Sequence, residues 1–273
     1  MTVLNGQPID AVLRDAKVLV TGGGTGIGRS TALEFARLGA RVAVLGRTHD
    51  SLEAVVTELE LAGTTAALAV ADIRDEAQVV DAFDTLDELW GGVDVLVNNA
   101  GGQFPMLAVD LSLNGWRSVV DLNLTGTFIA SQAFARSVIR RGVEGRIVNV
   151  TTAAAVRPSR GMAHTISARA GVIAMTRALA LEWAEFGIRV NGVAPGMINT
   201  RGLVDAELEG DATVIDRLAE AVPLRRAGTP EEVAQVIAFL ASPSCAYMTG
   251  ETVLLDGGYS LGPGLHVDHT GKY

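Results

Sequence analysis

Cysteine is almost missing from this chain of 273 residues, where Cys245 stands alone. One thiol closes no internal disulfide, and nothing here requires an oxidising compartment. Near the end of a helical pattern, Cys245 reads as a small packing residue. Long apolar runs are missing as well: none approaches the roughly 18 residues that span a bilayer. The opening "MTVLNGQPIDAVLRD" has no basic stretch followed by an apolar one, so no secretory signal is expected. Basic charge is scarce, with 22 Lys and Arg against 31 Asp and Glu and a net charge of −9. That balance argues against nucleic acid or an anionic membrane as the main partner, because phosphate binding needs a positive surface. Tandem repeats, low-complexity tracts and flexible linkers are absent too. The expectation is one cytoplasmic domain over residues 1–273, with no metal site.

What the chain does have is a hydrophobic content of 48% in a regular rhythm. Short apolar runs fall at 17–21, 41–45, 65–70, 93–97, 146–150, 188–193 and 252–256. Between most of them lie segments with helical apolar spacing, such as Ser30–Leu38, Ser51–Leu61 and Glu76–Trp90. Strands apolar on both faces, separated by helices, predict an α/β fold with a parallel sheet covered on both sides. The stretch 198–222 breaks this rhythm and carries Glu207, Glu209, Asp211 and Asp216. After a strand end, it is expected to form a substrate lid.

The segment "VLVTGGGTGIGRS" runs strand, glycine turn, helix, with glycines at 22, 26 and 28. Glycines let the backbone approach a pyrophosphate, and the helix N-terminus offers free N–H groups and partial positive charge. The second apolar run ends at Gly46 and Arg47, where NAD-preferring folds keep a carboxylate for the ribose 2′-hydroxyl. A guanidinium without that acid suits a 2′-phosphate, so NADPH is the expected cofactor. Asp72 follows the third run, where a short acid can accept from the adenine amino group, and Asn98 to Gly101 follow the fourth.

These motifs together resemble the short-chain dehydrogenase/reductase family over nearly the whole chain. The resemblance rests on TGGGTGIG at 21–28, Asp72, NNAG at 98–101, NLTG from Asn123, RIVNV before two threonines, and APGMINT at 194–200. It implies a doubly wound seven-stranded sheet and a tetramer or dimer, with a homotetramer expected. It also implies Gly22, Gly26 and Ile27 at the pyrophosphate and Pro195, Ile198 and Thr200 around the nicotinamide. Thr25, Arg47, Asp72, Ile73, Asn99, Ala100, Gly101 and Gly196 complete the cofactor set.

The typical member works with Asn, Ser, Tyr and Lys. Here Asn123 fills the first place, while Thr152, Thr165 and Arg169 stand at the serine, tyrosine and lysine places. An aliphatic hydroxyl is a far weaker acid than a phenol, and arginine does not titrate usefully. A positioned general acid is worth about 10²–10⁴ in rate, so ordinary ketone reduction is expected to suffer. Hydride addition to an enoyl thioester needs chiefly an oxyanion contact, which Thr152 or Thr165 can offer. Arg169 would hold the ribose, and it joins both the catalytic and the cofactor sets.

This pattern resembles the peroxisomal-type trans-2-enoyl-CoA reductases, beside the related 2,4-dienoyl-CoA reductases. The implied partner is an acyl-CoA thioester. The alternatives are a carbonyl reductase or alcohol dehydrogenase of 3-oxoacyl or terpenoid type, and a dinucleotide-binding protein without catalysis. His164 is read either as a packed residue at a helix start or as a carrier of protons. Trp116 and Trp183 are read as packing residues. Arg157, Arg160 and Arg201 are read as surface charges, with contact to coenzyme A phosphates as the alternative.

Overall fold

Successive apolar residues in each strand point to opposite faces, and each face meets its own set of helices. A computed structural model describes residues 3–4, 7–8, 13–200, 215 and 219–262. Its main sheet contains β1 (Lys17–Thr21), β2 (Arg41–Gly46), β3 (Ala66–Val70), β4 (Val95–Asn98), β5 (Gly145–Val150), β6 (Ile188–Pro195) and β7 (Thr252–Leu255). The strands are all parallel, in the order β3-β2-β1-β4-β5-β6-β7. Val3–Leu4 and Gln7–Pro8 form a separate short antiparallel pair.

The helices are α1 (Gly26–Arg37), α2 (His49–Leu61), α3 (Glu76–Trp90), α4 (Leu113–Val120), α5 (Gly126–Arg141), α6 (Ala163–Trp183) and α7 (Pro230–Ala241). A π-helical turn, Asp121–Thr125, joins α4 to α5. On one sheet face, Val18, Val20, Val42, Val44, Val95, Val97 and Val148 pack with α1, α2 and α7 around Phe35. On the other, Leu19, Ala43, Leu45, Leu96, Ile147 and Val190 pack with α3, α5 and α6 around Phe134. Each fully buried phenylalanine contributes about 1.5–3 kcal/mol through its area alone. The apolar rhythm predicts this parallel sheet covered on both sides, and its doubly wound, seven-stranded form is what the family resemblance implies.

The main difference from the sequence pattern lies at α1, which begins at Gly26 rather than at Ser30. Apolar spacing does not register the glycines of its first turn. The expected lid at 198–222 lies mostly outside the described residues, and so do Arg201, Glu207, Glu209, Asp211 and Asp216. Trp183 packs against the second core, as a packing residue should. Cys245 is buried beside the first core, and burial pushes its thiol pKa up.

α7 is closed at both ends. A capping box joins Thr229 and Glu232 at its start, where Arg226 forks onto Glu232 at 2.5 and 2.8 Å. At its end, the Arg189 guanidinium donates to the carbonyls of Leu240, Ser242 and Met248. The hydrogen bond from Arg226 holds the Glu232 carboxyl at about 2, down from 4.5. A depressed carboxylate stabilises the fold fully above its unfolded pKa, and that contribution disappears as pH falls through the folded value. Thr229→Ala should cost about 1 kcal/mol in urea unfolding at neutral pH. Glu232→Gln should destabilise the chain at pH 7 yet lose less further stability than the parent between pH 4.5 and 2. Parallel acid profiles would refute the Arg226–Glu232 linkage.

Candidate active site

The site forms where the chain reverses its direction of winding. From β1 the chain builds outward through β2 and β3, then returns to place β4 on the other side of β1. Connections leave these two neighbouring strands in opposite directions, which opens a crevice at their carboxyl ends. Side chains bridge the gap. Asn99 Nδ2 donates to the carbonyls of Thr21 (3.0 Å) and Gly22 (3.1 Å), while the Asn99 and Ala100 amides donate to Thr21 Oγ1. Gly22 turns with φ of 63°, and a Cβ at Gly28 would lie 2.1 Å from the Gly22 carbonyl oxygen. Only glycines allow the turn to fold this tightly onto α1. Thr25 stands at the N-cap of α1 but makes no side-chain cap, so it leaves the first-turn N–H groups of Gly26, Ile27 and Gly28 unclaimed.

The outer end of the crevice carries the residues expected at the adenosine. Arg47 lies exposed just past β2. Asp72 is held in a fork by Arg74, with contacts of 2.5, 2.9 and 3.1 Å. The hydrogen bond from Arg74 holds the Asp72 carboxyl at about 2, and the charge of Arg47 pulls in the same direction. Ile73 turns inward instead, buried against the position of Gly126, which leaves only its backbone for a ligand. Arg74 was not singled out from the sequence; its only signal there is the spacing of two residues from Asp72.

At the inner end, the π-turn places Asn123 almost fully buried. Its Nδ2 donates to the carbonyls of Gly102 and Val119, both at 2.8 Å, and its Oδ1 accepts from Gly102 N at 3.4 Å. The carboxamide therefore pins the loop after β4. Thr152 accepts from Ala154 N at 3.2 Å and so caps a short 3-10 turn, Ala153–Ala155.

Thr165 and Arg169 both lie buried on α6, one turn apart. Arg169 Nη1 donates to the Val150 carbonyl at 2.6 Å. A Cβ at Gly101 would meet Arg169 Nη2 at 2.0 Å and Asn123 Oδ1 at 2.7 Å, so Gly101, Asn123 and Arg169 converge. Among the described residues no carboxylate pairs with Arg169. Burial lowers its pKa to about 10, which leaves it protonated at neutral pH. Among the described residues Thr165 Oγ1 has no hydrogen-bond partner. His164 is 0% exposed and packs edge-on to Phe104 with ring centres 4.7 Å apart, yet neither ring nitrogen has a partner among the described residues. Phe104 is a second wall residue that the sequence reading did not name.

Pro195 ends β6, and Gly196 presses against Asp256, where a Cβ would lie 2.8 Å from that residue's Cα. Ile198 is buried and forms a parallel bridge with Gly228. The Thr200 methyl stands 3.6 Å from the Cβ position of Gly26, which brings this loop against the glycine turn. Arg157 turns away onto the Tyr259 ring and its carbonyl, Arg160 is exposed, and Trp116 is half-buried.

A glycine cradle, an uncapped helix start and a buried cation without an anion fit a dinucleotide. The anionic pyrophosphate suits the helix end, and the ribose hydroxyls suit the enclosed guanidinium.

A family model described as enoyl-(acyl carrier protein) reductase matches residues 22–260. The chain is 38% identical over 247 residues to a probable 2,4-dienoyl-CoA reductase of Bacillus subtilis (strain 168), covering 90% of this chain and 97% of the relative. It is also 38% identical over 242 residues to a 3-oxoacyl-[acyl-carrier-protein] reductase of Synechocystis, covering 88% and 95%. A crystal structure of a short chain dehydrogenase from Bacillus anthracis superposes with a TM-score of 0.83 at 38% identity, covering 93% of this chain and 99% of that one. With this sheet, this crevice and these relatives, the chain belongs to the short-chain dehydrogenase/reductase family and is a nicotinamide-dinucleotide-dependent oxidoreductase.

Proposed function

We propose that this enzyme reduces an activated carbon–carbon double bond, in a 2-enoyl-CoA, with NADPH as the reductant. The observation that carries the reading is the pair on α6: a buried aliphatic hydroxyl, Thr165, and a buried, permanently charged guanidinium, Arg169. Neither is a useful acid near neutral pH. A reaction in which negative charge develops on a thioester oxygen needs hydrogen-bond donors more than a strong acid. The relative named as a probable 2,4-dienoyl-CoA reductase supports the class of reaction, a reduction of a conjugated acyl-CoA, although a (2E)-enoyl-CoA is its named product and not its substrate.

When bound, the dinucleotide supplies the hydride. The glycine turn at Gly22 and Gly26, with Thr25, Ile27, Asn99, Ala100 and Gly101, would hold its phosphates and the adjoining ribose. Arg47 would pair with a 2′-phosphate, while Asp72 and the Ile73 backbone would meet the adenine. Arg169 would hold the nicotinamide ribose, and Pro195, Gly196, Ile198 and Thr200 would line the ring. Thr165, with Thr152 beside it, would meet the thioester oxygen, and Asn123 would keep the Gly101–Gly102 loop and Arg169 in register. The family commonly assembles as dimers or tetramers, and a homotetramer is the assembly proposed here.

A second reading, reduction of a 3-oxoacyl carbonyl, is favoured by the relative named as a 3-oxoacyl-[acyl-carrier-protein] reductase. It must find a proton donor to replace the phenol. Cofactor oxidation separates the two. Crotonyl- or decenoyl-CoA should be reduced at least tenfold faster than acetoacetyl-CoA, and the opposite ranking would refute the enoyl reading.

NADPH should bind more tightly than NADH, and Arg47→Asp should weaken NADPH alone, by roughly 10–100-fold for the loss of a charged hydrogen-bonded pair. Equal weakening of both cofactors would remove Arg47 as the discriminator. Gly101→Ala should abolish dinucleotide binding in a fluorescence titration while leaving far-UV dichroism intact, because the new methyl occupies the place of Arg169 Nη2. Undiminished binding would mean that Arg169 is not a cofactor anchor.

A further inference from the structure

Three polar atoms on one helical turn lack partners among the described residues: Nδ1 and Nε2 of His164 and Oγ1 of Thr165. A buried donor or acceptor left unsatisfied is destabilising. The ring of His164 is wholly enclosed against Phe104, where an apolar side chain would leave no polar atom orphaned. Packing therefore does not account for an imidazole at this place. Consecutive helical side chains diverge by about 100°, so His164 and Thr165 do not bond each other directly. A buried water with two to four polar partners is the usual remedy for such groups.

We propose that His164 is a proton relay for the reaction, linked through a buried water to Thr165 and thence to the substrate. The proposal rests on the enoyl-thioester reading. A hydride from the reduced dinucleotide forms a C–H bond at the β-carbon, and the π electrons of the double bond move to give an enolate. A second C–H bond then forms at the α-carbon with the proton of Thr165 Oγ. Thr165 recovers its proton through the bridging water from one ring nitrogen of His164, and the other nitrogen regains a proton by way of further water, because the ring itself is 0% exposed. Charge balances, since one hydride and one proton are added and the imidazole ends as the opposite neutral tautomer. A neutral ring with both nitrogens available is what such a shuttle requires.

The charged residues on elements packed around this turn are Arg117 on α4, Asp121 on the π-turn, Asp110 on the loop after β4, Arg157 and Arg160 before α6, and Arg169 on α6. Of these only Arg169 is buried, and none forms an ion pair with His164 among the described residues. Among the described residues no carboxylate is therefore fixed against the ring.

The test compares the full-length protein with His164→Phe, His164→Gln and Thr165→Val. On crotonyl-CoA, His164→Phe should lower kcat by about 10–100-fold, leave KM and NADPH binding unchanged, and enlarge the solvent deuterium isotope effect on kcat. His164→Gln, which keeps a donor and an acceptor, should recover part of the rate. Thermal unfolding of His164→Phe should match or exceed the parent, which a structural role for the imidazole would not allow. Wild-type kcat and isotope effect in His164→Phe would overturn the relay.

Should the parent protein not reduce crotonyl-CoA, the enoyl reading fails by itself, and the variants are then compared on the carbonyl substrate that it does reduce. One readout needs no turnover. Imidazole ¹⁵N resonances of His164 should report a nitrogen hydrogen-bonded to exchanging water and should move in Thr165→Val. A ring that exchanges slowly and ignores that substitution would refute the water link.

Discussion

The divergence of the connections beyond the paired strands β1 and β4 is the constraint from which the site follows. A parallel sheet wound in both directions must open where the direction changes, and the strand ends there lose their neighbours' hydrogen bonds. Asn99 and Thr21 take over the bonding that the ladder gives up. By holding the Thr21 and Gly22 carbonyls, Asn99 fixes the start of the glycine turn, and that turn in turn sets where α1 begins. The same closure sends Ala100 to Gly102 across the crevice toward Arg169. Cofactor cradle and buried guanidinium are thus two ends of one backbone arrangement.

Arg169 is kept in place by what surrounds it more than by any counter-charge. An enclosed guanidinium without a carboxylate is costly unless its N–H groups are used. The Val150 carbonyl uses one, and the missing side chain of Gly101 makes room for the rest. Beneath it runs a buried polar ladder. Thr127 bonds the Asn123 carbonyl, Ser131 the Thr127 carbonyl, and Asn98 bonds both Ser131 and Asn149, which continues to Thr176 on α6. The first two bonds run along the π-turn and α5, and the other three cross from β4 to α5, from β4 to β5 and from β5 to α6, so these elements share one register. A shift of α6 would break the Asn149–Thr176 bond, which ties the helix that carries Arg169 to the end of β5 and, through Asn98 and Ser131, to α5.

Much of this was legible in the sequence because it rests on local pattern. The valine-rich runs gave the strands, and the placing of glycines between strand and helix gave the turn. The substitution of Thr165 and Arg169 for the family's usual pair was equally plain once Asn123 fixed the spacing. What escaped depends on contacts between distant segments. Arg74 closing on Asp72 is a turn conformation that spacing alone does not specify. The Phe104–His164 packing joins residues 60 positions apart. Arg157 belongs to Tyr259 rather than to the crevice, and nothing in its own neighbourhood announces so distant a partner. For His164 the sequence left two readings open, and burial with both nitrogens unpartnered brings them together: the residue is packed and also polar without a partner.

Exchanging a lysine for Arg169 has a chemical consequence beyond shape. A buried lysine can lose its proton near neutral pH, and a paired phenol can follow it, so the usual site changes charge as it works. Burial brings Arg169 down only to about 10, so its charge is constant across the physiological range. Thr165 does not ionise there either. The inner site therefore presents a fixed positive field and fixed hydroxyl dipoles. Such a field stabilises charge that forms on a substrate oxygen, but a hydroxyl in it that gives up its proton must be resupplied from elsewhere within the turnover. A reaction that separates hydride addition from protonation suits it, because the enolate can wait in that field until a proton arrives by another route. Within this site, the group that can change tautomer while the field stays constant is the enclosed imidazole of His164.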